Sequence, residues 1–224
     1  MSGKTRPDTG CILVNEPRIE KIGKAQIASA ELVTSDGYVA TASFETPWFL
    51  QLGNYYDVEV RSKEGADGAF LVSKTPPQGT SSSASWFSDN IFGISGRYGA
   101  YGAPQDVRVL RDERDRSVDG GRLLEYSFTA LKGNAEVQRR AFVKAVSPPG
   151  SRDVVILVAG TTASRWKKEN GEKTSRAVVD SLRVSSSKTN LKKDEASDYR
   201  TYKSKMPDLA PQKNGGGAMY NNGD

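Results

Sequence analysis

The sequence predicts an α+β protein built around an antiparallel sheet. Most strand-like segments alternate apolar and polar residues and are joined by short turns such as the one at 132–134, which is typical of hairpins. One continuous apolar run, residues 154–159, is short enough to be a central strand that is covered on both faces. Helical periodicity is confined to two or three short segments, which places the helices beside the sheet.

The N-terminal part of the chain is interpreted as an extended arm that leads into the first strands. Residues 1–23 mix prolines, glycines and charges around one short apolar run at 11–14. The turn pair Asp36-Gly37 ends the arm, which is taken as residues 1–37. A strand then starts at Tyr38 and stops before Pro47, because proline has no N–H to donate to a sheet.

A second strand is predicted over residues 55–61. Its alternation places Val58 and Val60 on one face and the charged Asp57 and Glu59 on the other. This pattern indicates a half-buried strand with its carboxyl groups in water.

Two helices are predicted from apolar spacing. Serines at 81–83 suit the N-cap of the first helix, and Phe87, Ile91 and Ile94 fall on one of its faces. The second helix follows Gly160 and a short polar segment. Its apolar positions are Trp166, Val178, Val179 and Leu182.

The composition excludes several classes of activity. The chain has 224 residues, a formal net charge of +5 and no histidine. The lack of histidine excludes Ser-His-Asp and Cys-His catalysis and every metal site that needs an imidazole. The single cysteine, Cys11, can form neither an internal disulfide nor a zinc site, and its apolar neighbours predict a small buried side chain. We expect a protein that is not an enzyme and has no cofactor.

Charge and hydropathy do not indicate nucleic acid or a membrane span. Both signs of charge are mixed along the chain, and no basic block alternates with aromatic residues. No apolar run approaches the roughly 20 residues that a spanning helix needs. The first ten residues lack the apolar segment of a signal peptide. The protein is therefore expected to work where it is made, or the sequence is that of a mature form.

The Arg-Trp-Lys-Lys segment at 165–168 has two interpretations. Cation–π or anion contacts would make Arg165 and Trp166 candidate docking residues. In the favoured alternative, the segment begins an amphipathic helix with Trp166 packed on the sheet and the cations in water.

Residues 185–224 form a tail without a core of its own. The tail has two prolines, three consecutive glycines and few aliphatic residues, and its seven basic residues face five acidic ones. It is either a disordered terminus or a segment that becomes ordered against a partner. In the second case its candidate docking residues are Leu191, Tyr199, Tyr202 and Met206.

Several motifs follow one another in a recognisable order. The apolar strand at 154–159 and Gly160 precede Arg-Trp-Lys-Lys at 165–168 and Val-Val-Asp-Ser-Leu-Arg-Val at 178–184. Upstream, Ser-Phe-Glu-Thr-Pro-Trp at 43–48 is similar to an opening strand that runs into a proline and a tryptophan. Together these motifs resemble the PsbP family, the extrinsic lumenal proteins of thylakoids and their PsbP-domain relatives.

The resemblance extends over residues 38–184 and implies an α–β–α sandwich with a central antiparallel sheet. The N-terminal arm (1–37) and the C-terminal tail (185–224) have no counterpart in that pattern. The metal-binding roles of the plant oxygen-evolving member depend partly on histidines, so they do not carry over to this chain, which has none.

The resemblance also implies a function and a location. We expect a non-catalytic extrinsic subunit, peripheral to the thylakoid membrane in the plastid lumen, which stabilises a photosystem, with photosystem II favoured. Its partners would be photosystem subunits, contacted through the core and the two extensions. The alternative is a PsbP-domain assembly factor that binds a photosystem only transiently.

Overall fold

The fold is that of a computed structural model, which describes residues 7–23, 25–51, 57–115, 121–191 and 193. These residues form eleven strands, three α-helices and a short 3-10 helix at Gly79–Ser81. The strands are β1 (Arg18–Ile22), β2 (Ala25–Val33), β3 (Tyr38–Glu45), β4 (Phe49–Leu50), β5 (Glu59–Arg61), β6 (Gly68–Lys74), β7 (Gln105–Asp115), β8 (Gly121–Lys132), β9 (Ala135–Val146), β10 (Val154–Thr162) and β11 (Arg183–Lys188). The helices are α1 (Ala84–Phe92), α2 (Ala163–Lys168) and α3 (Gly171–Asp180).

The larger sheet has seven antiparallel strands in the order β4-β5-β6-β10-β9-β8-β7. β10 lies between β6 and β9, and its residues from Val154 to Thr161 are buried. The prediction of a central strand over 154–159 is confirmed, because an apolar run without alternation can cover both faces of a sheet. The tight turn between β8 and β9 is also confirmed, with Gly133 at a φ of +63°.

The smaller sheet has four antiparallel strands in the order β1-β2-β3-β11. It joins the start of the chain to the strand that follows the last helix, since β11 pairs with β3 from Arg183 opposite Ser43 to Lys188 opposite Tyr38. The expected antiparallel α+β class is confirmed, whereas the expected single sheet is replaced by two.

Two apolar cores lie on opposite faces of the seven-stranded sheet. Alternate residues of β10 divide between them, with Val155 and Leu157 in one core and Ile156 and Val158 in the other. The first core also includes residues of α2, α3 and the four-stranded sheet, and the second includes residues of α1. Alternate residues of one strand therefore contribute to both apolar cores.

The interpretation of residues 1–37 as an arm outside the core is wrong for its described part. Cys11 and Leu13 are 3% and 0% exposed, and the Val33 amide donates to the Ile12 carbonyl at 2.9 Å. β2, which carries the buried Leu32, is an inner strand of the four-stranded sheet. The run at 11–14 lies beside β2, where Leu13 and Leu32 form an isolated antiparallel bridge. The predicted burial of Cys11 is confirmed.

The tail also begins later than expected. Residues 185–188 belong to β11, and the Thr189 amide donates to the Gly37 carbonyl at 2.9 Å. Lys193 is in turn bound to the fold through its backbone N–H, which donates to the Thr34 carbonyl at 3.1 Å. A run of serines lacks the apolar pattern of a buried strand, so composition alone hides this edge strand.

The helices differ from prediction in two respects. Phe87 and Ile91 are buried on α1 as predicted, but Ile94 is 70% exposed because α1 ends at Phe92. The predicted second helix is divided into α2 and α3 by Asn170, whose φ of +56° is left-handed. Such a residue cannot continue a right-handed helix.

Candidate functional site

The structure places the proposed docking residues in different environments. Trp166 is 1% exposed, with its ring centre 5.1 Å from that of Phe142 and with the Arg140 guanidinium 5.1 Å away. The interpretation that Trp166 packs on the sheet is therefore confirmed. The prediction that Trp166 is a docking residue is wrong, because its buried ring offers no surface to a partner. The predicted solvent position of Lys167 and Lys168 is also confirmed.

Arg165 is partly exposed and is held by two carboxylates. Its Nη2 lies 2.9 Å from an oxygen of Asp67 and 3.1 Å from one of Glu169. The second oxygen of Asp67 accepts from the Thr161 hydroxyl. These contacts fasten α2 to the turn between β5 and β6, so Arg165 has a structural role, and its docking role stays a prediction.

Of the predicted tail residues, Leu191 alone falls within the described part of the chain, where it is 48% exposed. Its side chain therefore offers exposed apolar surface. Tyr199, Tyr202 and Met206 lie outside the described residues.

Lys193 fixes the start of the tail. Lys193 Nζ donates to the Ser73 carbonyl at 2.9 Å and to the Ser73 hydroxyl at 3.2 Å, and it lies 3.8 Å from Asp153. Burial lowers the pKa of Lys193, and the carboxylate of Asp153 opposes that shift. Lys193 is therefore held at the Ser73 end of β6.

A cleft lies at the other end of β6, on the side of the sheet that α1 covers. It encloses about 710 Å³ between the β5–β6 turn, the loop after α1 and the ends of β8 and β9. From Gly68 beside the cleft to Ser73 beside the tail is roughly 17 Å along the strand. The cleft and the start of the tail are thus separate surfaces.

Glu59 is the buried carboxyl group of the cleft. It was predicted to face water but is 6% exposed. Arg61 donates to its Oε1, and Arg97 donates to the same oxygen at 2.8 Å. Burial raises the pKa of Glu59 to about 7, because the loss of water outweighs the attraction of Arg61, and the neighbouring Asp57 adds repulsion.

The prediction that Asp57 and Glu59 face water is wrong for a physical reason. Asp57 and Glu59 alternate with Val58 and Val60, but all four residues are buried. Asp57 accepts from the Thr9 hydroxyl, and Glu59 from Arg97, 38 residues further on. Alternation cannot reveal such distant partners, and only the density of charge in a short strand could have suggested them.

Aromatic rings and a third arginine form the inner wall of the cleft. The Tyr98 ring centre lies 4.7 Å from that of Phe128 and 5.7 Å from that of Phe70. The Arg139 guanidinium lies 5.4 Å from the Tyr98 ring centre, and its Nη2 donates to the Ala66 carbonyl at 2.8 Å. Burial raises the pKa of the Tyr98 hydroxyl, which stays protonated and neutral at physiological pH.

Over the described residues no group of three or more cysteine, aspartate or glutamate side chains is placed to hold a metal ion. In the same part of the chain, no helix has both the length and the hydropathy to cross a membrane.

Comparison with known proteins gives no assignment. No family model matches the chain, and no curated protein matches it.

Proposed function

We propose that this chain is a non-catalytic extrinsic subunit of a photosystem, held on the lumenal face of the thylakoid membrane by its C-terminal tail. The proposal rests on the resemblance of residues 38–184 to the PsbP family. Under it, the seven-stranded sheet with α1 on one face and α2 and α3 on the other is the family's α–β–α sandwich.

One structural observation carries the proposal: the motifs of the resemblance form one packed unit. The apolar strand at 154–159 is the centre of the larger sheet, and Trp166 closes over its neighbour β9. Val178, Val179 and Leu182 then fill the core on the same face. Motifs that are spaced along the sequence thus meet in three dimensions, as expected if they identify a common fold.

The tail is the surface that fits a docking role. Its start is fixed by Lys193, and Leu191 is exposed beside it. The remaining residues, 194–224, include the predicted anchors Tyr199, Tyr202 and Met206. Aromatic and methionine side chains on a segment without a core are suited to bind a groove of a neighbouring subunit.

The amount of chain in purified photosystem tests this proposal. We expect quantitative mass spectrometry to find it at near-unit stoichiometry with the core subunits of mature photosystem II. Recovery only with incomplete photosystem complexes would support the transient assembly factor instead. Absence from both mature and incomplete complexes would overturn the proposal.

A further inference from the structure

The cleft beside β5 contains an arginine, Arg139, that is fixed in place and has no carboxylate partner among the described residues. Arg139 is oriented by its hydrogen bond to the Ala66 carbonyl and by the Tyr98 ring. Among the described residues, no carboxylate lies within ion-pair distance of its guanidinium. An oriented guanidinium with donors to spare is the side chain that best binds a carboxylate or phosphate.

Three acidic residues line the cleft, Glu59, Glu64 and Asp67, and none of them forms an ion pair with Arg139, while Glu64 is exposed to solvent. The Glu59 oxygen Oε1 is occupied by Arg61 and Arg97, so that two guanidinium groups share one carboxylate. Asp67 is occupied by Arg165 and by the Thr161 hydroxyl. The inner part of the cleft therefore favours an anion over a cation.

The wall next to Arg139 is largely apolar. Ala130, Leu131 and Val137, from the ends of β8 and β9, line this side together with the cationic Lys132, and Phe70 also lines the cleft. A volume of about 710 Å³ is within the usual range of small-ligand pockets. A ligand that fills this space would have an apolar body as well as an anionic group.

We propose that the cleft binds a small amphipathic organic acid, with its anionic group on Arg139 and its apolar body along Ala130, Leu131 and Val137. The site is distinct from the tail surface, which starts at the other end of β6. It requires no photosystem, so it can be tested on the isolated chain, and its failure would leave the proposed docking function untouched.

Isothermal titration calorimetry on the full chain tests the site with four probes of equal chain length: octanoate, octyl phosphate, n-octanol and octylamine. We expect both anions to bind at least about tenfold more tightly than octanol, because a charge-assisted hydrogen bond contributes about 1.5–3 kcal/mol. Octylamine should bind most weakly. A preference for octanoate would identify a carboxylate ligand, and a preference for octyl phosphate would identify a phosphate ester.

Three variants test whether the anion binds at Arg139. Arg139→Gln should weaken octanoate binding about tenfold or more. Arg152→Gln removes the same charge from a side chain that is 83% exposed and outside the cleft, and it should leave binding unchanged. Val137→Glu, which adds a negative charge to the apolar wall, should abolish binding of both anions and provides a second test if Arg139→Gln fails to fold.

The opposite results would overturn the site. Equal binding of octanol and octanoate would show that the cleft does not select an anion. Unchanged octanoate binding by a folded Arg139→Gln or Val137→Glu variant would show that the anion binds elsewhere, and the absence of any binding would remove the proposal altogether.

Discussion

Lys193 Nζ donates to the Ser73 carbonyl at 2.9 Å, across 120 residues of sequence. The contact joins the first part of the tail to β6 of the larger sheet, beside the buried Asp153. The start of the tail is therefore held at a fixed point beside β6.

Lys193→Ala should remove the contact of the tail with Ser73 and lower the stability of the fold. The change leaves Asp153 without its nearby cation, although Ser35 and Thr75 still donate to its carboxylate. We expect a loss of about 1–3 kcal/mol in the free energy of unfolding, measured by chemical denaturation. Lys188→Ala, an exposed position at the end of β11, is the control and should change stability by less than about 0.5 kcal/mol. Equal stabilities of the two variants would contradict the anchoring role.

The N-terminal segment should respond to substitution as part of the core. Gly10 and Gly23 both have left-handed backbone, with φ of +67° and +62°. An alanine Cβ at Gly10 would collide with the Ser73 carbonyl oxygen, whereas among the described residues nothing lies within 4 Å of one at Gly23. We expect Gly23→Ala to cost about 1–2 kcal/mol in unfolding free energy.

Gly10→Ala should cost about 3 kcal/mol or more, since it combines the same backbone strain with the steric clash. Thermal unfolding of the two variants side by side makes the comparison. Equal losses of stability would mean that Gly10 does not pack against β6, and the assignment of the N-terminal segment to the core would fail.

The stability of the protein should depend on pH through Glu59. Its pKa is raised from 4.5 to about 7 in the folded protein, so the folded state holds this proton more tightly than the unfolded state does. The stabilisation is complete below pH 4.5 and is lost as pH rises through 7. Relative to Glu59→Gln, the wild-type free energy of unfolding should fall by up to about 3 kcal/mol over this interval.

Urea denaturation at several pH values measures this difference. Glu64→Gln removes an exposed carboxyl group from the same cleft and controls for the change in net charge. Parallel pH profiles for the wild type and Glu59→Gln would show that folding does not raise the pKa of Glu59.

Trp166 should affect stability and not docking. Trp166→Ala removes a buried ring from contact with Phe142 and should cost about 3–5 kcal/mol. Lys167→Ala changes the neighbouring exposed position and should cost less than about 0.5 kcal/mol. Calorimetric unfolding distinguishes them, and a Trp166→Ala variant as stable as Lys167→Ala would refute the packing described for α2.

Elements defined by local patterns were predictable from the sequence. The central strand, the β8–β9 turn and the burial of Phe87 and Ile91 on α1 depend on residues near one another, and all were predicted, whereas Ile94 lies beyond the end of α1. The four-stranded sheet was not, because it brings β11 next to β3, and polar serines give no periodic signal. Pairing across 136 residues, as between the Glu45 amide and the Ser181 hydroxyl, is invisible to local patterns.

The candidate sites were less predictable than the fold. The cleft depends on Glu59 meeting Arg97 and on Arg139 meeting Tyr98, contacts that follow from the order of the strands. Arg165 and Trp166 are neighbours in sequence but differ in burial, because successive positions of a helix point in different directions.

Removal of the tail tests whether residues 194–224 attach the chain to a photosystem. A chain ending at Lys193 keeps β11 and the lysine contact with Ser73, so its fold should be intact. The measurement is co-purification with photosystem II, in which the truncated and full-length chains compete for the same membranes. We expect the full-length chain to be retained at near-unit stoichiometry and the truncated chain to be lost in the first wash. Full retention of a folded chain ending at Lys193, or no retention of either chain, would overturn the docking role of the tail.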